Sequence, residues 1–262
     1  MNEFRHKKSL GQHFLKDKNI IRKIVDISEI KPGEQVWEIG PGMGILTEEL
    51  LNRKVDLTCF EIDSSLYRIL EEKFGTQINL VKQDVLKADW TALFPGKKVK
   101  IVANLPYQIT SPFLFKVARF TEYFSGIVIM IQKEVAQRIT AETGTKDYGI
   151  LTLKLNYFFK IKYEFTIKSH LFFPPPKVDS AVISLLPREN RPELADLELF
   201  WKLIEVSFGN RRKMLRKNLQ ALITKTKIAA NLDSCPIDLK RRGETLTEQE
   251  FIRLHNWLRS II

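Results

Sequence analysis

Apolar residues along the chain set out a series of short strands and helices followed by a helical tail. Ile20, Ile21, Ile24, Val25 and Ile27 recur at helical spacing and predict an amphipathic helix near the N-terminus. Pro32-Gly33 marks a turn, and residues 36–39 then read as a short buried strand. Ile45, Leu46, Leu50 and Leu51 form the apolar side of the next helix. Further strands are predicted over 56–61, 78–81, 99–103 and 126–131, with helices over 64–74, 111–120 and 133–140. The run 126–131 is almost continuously apolar, as central parallel strands are. Residues 144–146 read as a polar, mobile loop. Residues 150–159 and 163–167 read as long strands, and 178–186 closes the sheet as an antiparallel strand. From Ala195 onward the pattern is helical, and Thr247 with Glu250 forms a capping box that starts the last helix. Alternating strands and helices predict an α/β fold. The polar, proline-containing stretch 187–192 predicts a boundary between domains 1–187 and 188–262.

Composition narrows the class. The chain has 262 residues and 44% hydrophobic residues, enough for a packed core. No apolar run reaches the ~18 residues of a membrane span. The stretch Met1 to Lys8 is polar and basic without a following apolar run, so no signal peptide is visible and a cytoplasmic protein is expected. Formal net charge is +11, from 42 Lys and Arg against 31 Asp and Glu. That balance favours a polyanionic partner, nucleic acid before an anionic membrane. Cys59 and Cys235 are isolated, and His6, His13, His170 and His255 are scattered, so no metal site is expected.

The candidate chemistry sits at predicted strand ends. Gly40-Pro41-Gly42-Met43-Gly44 lies between a strand and a helix, the cradle arrangement of doubly wound folds. Its spacing differs from the dinucleotide pattern, and no Gly-Lys-Ser/Thr follows. Close approach of backbone to a small cofactor is implied, without a need for pyrophosphate. Glu61 ends the next strand, 21 positions after Gly40. That is close to the ~20 expected for a carboxylate on ribose hydroxyls. Asp84 follows a third strand and can accept from an adenine amine. Asn104-Leu105-Pro106-Tyr107 follows the strand 99–103, and Pro106 stiffens the turn. This turn can aim the Asn104 amide, a backbone carbonyl and the Tyr107 ring into one pocket. An exocyclic amine on a base needs those groups. Its lone pair is delocalised, and two acceptors on its hydrogens would free it for attack.

Two further features suit nucleic acid. Phe172 or Phe173, before Pro174-Pro175-Pro176, could stack on a base; core packing is the commoner fate of Phe. Arg212, Lys213, Arg216, Lys217 and Gln220 share one face at helical spacing, opposite Met214, Leu215, Leu219 and Leu222. A dense basic face fits phosphate binding.

Five stretches together carry a resemblance. They are Lys8-Ser9-Leu10-Gly11-Gln12-His13-Phe14-Leu15, Glu38-Ile39-Gly40-Pro41-Gly42-Met43-Gly44, Asn104-Leu105-Pro106-Tyr107, Phe173-Pro174-Pro175-Pro176-Lys177-Val178-Asp179-Ser180 and Phe208-Gly209-Asn210-Arg211-Arg212-Lys213. The chain resembles the small-subunit ribosomal RNA adenine N6,N6-dimethyltransferases from about Ser9 to about Leu258. The resemblance implies a Rossmann-like class I methyltransferase sheet, mostly parallel with its last strand antiparallel, and a small helical domain that binds RNA. It implies transfer of methyl groups from S-adenosylmethionine to two adjacent adenosines in a hairpin loop near the 3′ end of 16S ribosomal RNA. Carried over by motif, His13 and Leu15 border the cofactor, Gly40 contacts its methionine part with Gly42 beside it, and Glu61 and Asp84 hold ribose and adenine. Asn104, the Leu105 carbonyl and Tyr107 are the catalytic group, and Asn104 also borders the cofactor. Phe172, Phe173, Arg211, Arg212, Lys213, Arg216 and Lys217 are expected on the RNA. A monomer acting on a pre-ribosomal 30S particle is expected, with no membrane and no metal. The rival readings are the antibiotic-resistance type of large-subunit RNA methyltransferase, and an assembly factor that acts mainly by binding.

Overall fold

The computed structural model describes residues 12–94 and 96–262. The start of the N-terminal signature, Lys8-Ser9-Leu10-Gly11, lies outside the described residues, as does the basic stretch before it. The chain divides into two compact units. One runs up to Ala136 and resumes over Phe159–Pro187; the other comprises Gln137–Phe158 and Arg188–Ile262.

In the first unit β1 (Phe14–Leu15) and α1 (Lys18–Ile27) precede β2 (Gln35–Ile39), α2 (Ile45–Leu51), β3 (Asp56–Phe60), α3 (Ser64–Phe74) and β4 (Asn79–Val81). Then come α4 (Trp90–Leu93), β5 (Val99–Asn104), α5 (Thr110–Arg119), β6 (Phe124–Gln132) and α6 (Lys133–Ile139), whose end enters the second unit. The second unit contributes α7 (Ile150–Phe158), and the first resumes with β7 (Phe159–Ile167), β8 (Phe172–Phe173) and β9 (Ser180–Pro187). Seven strands form one sheet in the order β4-β3-β2-β5-β6-β9-β7. Neighbours from β4 to β6 are parallel. β9 runs antiparallel to both β6 and β7, as the closing strand of the sequence reading does. A separate two-stranded ribbon pairs β1 with β8, Phe14 opposite Phe173 and Leu15 opposite Phe172.

Both faces of the sheet are covered, which explains the apolar runs. Ile21, Ile24 and Val25 of α1, Leu46 and Leu50 of α2 and Leu70 and Phe74 of α3 pack with Val36, Leu57, Val102 and Val128. Asp17 caps α1 by accepting from the amides of Asn19 and Ile20 at 2.8 and 3.2 Å. An aromatic group that includes Trp37, Trp90, Phe113 and Phe124 packs edge to face, with Trp37 and Trp90 centroids 5.6 Å apart.

The second unit has its own core. Leu153 and Tyr157 of α7 pack with Phe200, Leu203 and Ile204 of α8 (Leu197–Gly209). Beyond α8 lie α9 (Leu215–Asn218), α10 (Lys225–Ala230) and α11 (Glu248–Ile261), the last opened by the Thr247–Glu250 capping box.

Three sequence expectations change here. Residues 150–158 are helix α7, not strand, and cluster with the second unit rather than with domain 1–187. Leu151, Leu153 and Leu155 alternate as in a strand, but in a helix that spacing spreads them widely round the axis. The helix therefore buries more than one side, with Thr152, Leu153, Leu155 and Tyr157 all buried. The loop 144–146 is tied down rather than mobile: Gly144 N–H donates to the Glu244 carbonyl at 2.9 Å, and Arg211 binds the carbonyls of Thr145, Lys146 and Tyr148. The basic stretch is not one helix. α8 ends at Gly209, a turn covers 210–214, and α9 begins at Leu215.

Buried Asn218 stabilises this break. Its Nδ2 donates to the Ser207 carbonyl at 3.0 Å, which the end of α8 leaves without a helical partner, and to the Asn210 carbonyl at 3.2 Å, which also accepts from the Lys213 amide. Asn218→Ala strands the buried Ser207 carbonyl, while the Asn210 carbonyl keeps the Lys213 amide at 2.9 Å, and is expected to cost about 1–3 kcal/mol in urea unfolding. A loss below about 0.5 kcal/mol, the usual surface value, would show that water replaces the amide.

Candidate active site

Parallel strands end at one edge of the sheet, and the chain gathers its polar strand-end residues there. Gly40 and Gly42 follow β2, Glu61 follows β3, Asp84 follows β4 and Asn104 ends β5; all line one open cleft. His13, Phe14, Ile62, Leu105, Pro106 and Tyr107 complete much of its wall. The glycine loop is bare for a reason. Gly42 has φ +60°, and a Cβ there would lie 2.6 Å from Cε1 of Phe14. Gly40, at φ +67°, sits with Pro106 3.5 Å from where its Cβ would be.

Each polar group is fixed by a neighbour. Asn104 Nδ2 donates to the His13 carbonyl at 3.1 Å. Among the described residues, Asn104 Oδ1 and the Leu105 carbonyl accept no hydrogen bond. Tyr107 shares a 2.7 Å hydrogen bond with Ser180 and stacks on His13 at 5.8 Å between centroids. Burial pushes the Tyr107 phenol up, so it stays protonated. His13 Nδ1 lies 2.8 Å from the Pro174 carbonyl, and Gln12 donates to Asp63 at 3.0 Å. The N-terminal arm is thus folded against the cleft. Glu61 is only 5% exposed, and burial raises its pKa. Backbone amides of Asp63, Gly42 and Ile62 oppose that shift, the Asp63 amide at 2.7 Å. Asp84 Oδ1 accepts from the Leu86 amide at 2.9 Å.

A family model described as ribosomal RNA adenine dimethylase matches residues 3–260 of this sequence. The chain belongs to that family. A relative from Geobacillus sp. (strain WCH70), named ribosomal RNA small subunit methyltransferase A, is 42% identical over 99% of this chain and 94% of its own. One of the same name from Staphylococcus haemolyticus is 42% identical over 96% of this chain and 90% of its own. Among solved structures, a dimethyladenosine transferase from Plasmodium falciparum superposes with a TM-score of 0.77 at 27% identity, covering 92% of this chain and 95% of its own. The 23S rRNA methyltransferase ErmE superposes at 0.72 with 28% identity, covering 94% and 99%. The Rossmann-like sheet, mostly parallel with antiparallel pairing near its end, is the family's, and family membership makes this chain a methyltransferase for adenine in ribosomal RNA.

The other expected site residues differ in exposure. Leu15 is 4% exposed in β1 and belongs to the core, where it lines a smaller pocket with Phe14, Gly40 and Asn104, residues that also wall the cleft. Phe172 is likewise 4% exposed in the core, while Phe173 is 49% exposed with Lys16 Nζ 4.0 Å from its ring centre. Adjacent residues of a strand face opposite ways, so only one of the pair can be outside. Arg211 is engaged within its unit, with Nε on Glu244 at 2.9 Å and its other nitrogens on loop carbonyls. Arg212, Lys213, Arg216 and Lys217 are exposed, and so is Met214, which the helical spacing had put on the covered side. Among the described residues no cluster of three or more His, Cys, Asp or Glu could hold a metal ion, and no helix is long and apolar enough to cross a membrane.

Sequence reasoning missed Glu38 and Ser180. Glu38 stands next to the glycine loop inside a motif that had been noticed only for its glycines. It is buried, and accepts from Thr47 Oγ1 at 2.7 Å and from the Cys59 thiol. Burial pushes its pKa from 4.5 to about 8. An acid protonated only in the folded state stabilises fully below the unfolded value and loses that contribution as pH rises toward the folded one. Stability is therefore expected to fall between pH 4.5 and about 8 through this group. Glu38→Gln, which keeps the neutral form, should remove that slope, as read by thermal unfolding against pH. Parallel pH profiles for the two proteins would show Glu38 to be ionised in the fold.

Proposed function

We propose that the chain dimethylates N6 of two adjacent adenosines in a hairpin loop near the 3′ end of small-subunit ribosomal RNA, with S-adenosylmethionine as donor. The observation that carries this reading is the pair of open acceptors, Asn104 Oδ1 and the Leu105 carbonyl, beside the anchored Tyr107 ring. The 42% identity to relatives named for the small subunit supports that substrate over the large-subunit alternative. The first unit carries methyl transfer. The second grips RNA through Arg212, Lys213, Arg216 and Lys217, while Arg211 shapes the loop beneath them. The substrate is the RNA of a pre-ribosomal small-subunit particle in the cytoplasm, and the chain works as a monomer.

The cleft fits the donor. Gly40 and Gly42 would bring bare backbone to its methionine part, His13 would border it, and Glu61 would accept from the ribose hydroxyls; all four line the cleft. Asp84 would accept from the adenine amine, and the apolar side chains of Ile62 and Val85 line the same cleft. When bound, S-adenosylmethionine supplies an activated methyl on a sulfonium that is already a good leaving group. The protein's part is to place the target nitrogen and to stabilise the charge that develops on it. Asn104 Oδ1 and the Leu105 carbonyl take the two amine hydrogens and draw nitrogen toward tetrahedral geometry. Tyr107 holds the base flat, and exposed Phe173 stands ready to stack on RNA. The target base must leave its stack, which a loop adenosine does at lower cost than a paired one.

Asn104→Ala is expected to slow single-turnover methyl transfer on the order of 10²–10³-fold, with RNA affinity within a few-fold, because the interaction grows in the transition state. Purified unmethylated small subunits are the substrate, large subunits the comparison, and nucleoside analysis the readout. A wild-type rate for the variant would remove Asn104 from the mechanism, and product on large subunits alone would reverse the substrate assignment.

Replacing Arg212, Lys213, Arg216 and Lys217 with Gln should weaken RNA binding and flatten its salt dependence, by about 0.7–0.9 in log–log slope per lost phosphate contact. Cofactor affinity should stay as in the wild type. An unchanged slope would make these side chains a merely solvated face.

A further inference from the structure

Lys116 stands on α5, the helix that follows the Asn104–Tyr107 turn, yet its ammonium reaches away to another loop. Nζ donates to the carbonyls of Val85 at 3.0 Å, Leu86 at 2.9 Å and Ala88 at 2.6 Å. An ammonium has three N–H donors, and here each has its own carbonyl. Three carbonyls from so short a stretch would otherwise turn their negative ends on one another, and a central cation makes that turn favourable. The Trp90 ring lies 4.7 Å from Nζ and shields one side, while its indole N–H donates to the Val85 carbonyl at 3.0 Å. Burial draws the Lys116 pKa down, and Asp84 and Asp89 oppose this.

The loop so gathered begins at Asp84. The Leu86 amide holds Asp84 Oδ1, and the amides of Lys87 and Ala88 hold the Asp84 carbonyl at 2.9 and 3.0 Å. Among the described residues Oδ2 accepts no hydrogen bond, and Asp84 lines the cleft. We infer that Lys116 is a positioning residue for cofactor specificity: it fixes the 84–88 turn so that Asp84 meets the adenine amine in one orientation. The inference rests on the reading that Asp84 accepts from that amine. It adds that the helix leaving the catalytic turn also sets the adenine end of the site.

The test compares two ligands that differ only at the 6-position, S-adenosylhomocysteine and its 6-deamino (purine riboside) analogue, by calorimetry on the full chain. The wild type should prefer the amino compound by about 10–100-fold, the range of a hydrogen bond to a charged group. Asp84→Ala should abolish the preference. Lys116→Met should lower it to within a few-fold of Asp84→Ala, and Lys116→Arg, which keeps the charge but not the donor geometry, should fall between. General loosening of the fold would weaken both ligands alike and leave the ratio intact. If Asp84→Ala loses the preference while every folded Lys116 variant keeps it, the inference is overturned and the Asp84 reading stands. If Asp84→Ala keeps the preference, both fall.

Discussion

The site depends on one hydrogen bond, from Asn104 Nδ2 to the backbone carbonyl of His13. A carbonyl only accepts, so this contact decides which end of the amide faces the arm and which is left for a substrate. The acceptor at the strand end therefore exists in the right orientation only while the N-terminal arm is in place. The arm is held by its ribbon with Phe172–Phe173, by His13 on the Pro174 carbonyl and by Gln12 on Asp63. The segment that leads to Ser180 anchors Tyr107 in turn. Three stretches far apart in sequence thus close a hydrogen-bonded ring round the cleft. Each bond is worth on the order of 1 kcal/mol net, but the ring is set as a unit.

Two carboxyl groups near the loop show how environment assigns roles. Among the described residues Glu38 accepts from the Thr47 hydroxyl and the Cys59 thiol, and burial, which outweighs them, keeps it protonated as a brace of the core. Glu61 meets backbone amides, which favour its charge and partly offset the same burial. The neutral acid suits a structural post, and the acceptor suits a ligand's hydroxyls.

What could be read from the sequence follows from what has a local signal. Gly40, Glu61, Asp84 and Asn104 each stand at the end of an apolar run, so topology alone placed them together in one cleft. Helix α7 was not legible, because alternating leucines carry a strand pattern and only the surrounding core makes a helix of them. For Phe172 and Phe173 strand geometry required one inside and one outside, but which was which depended on pairing with the arm. Arg211 looked like its basic neighbours until Glu244 and the 145–148 carbonyls, distant in sequence, came up against it. Lys116 left no trace, since its partners are backbone groups of a loop whose own residues are unremarkable.

The order of the strands bears on how the chain is made. The sheet sets β9 between β6 and β7, yet both arrive only after the chain has left the first unit for Gln137–Phe158 and come back. During synthesis β6, apolar at nearly every position, is present with one edge unpaired until the residues up to Pro187 have emerged. An open apolar edge is a template for wrong partners. A nascent chain of this protein is therefore most exposed to mispairing between about its middle and the end of β9, and release from that hazard coincides with completion of the sheet that carries the catalytic edge.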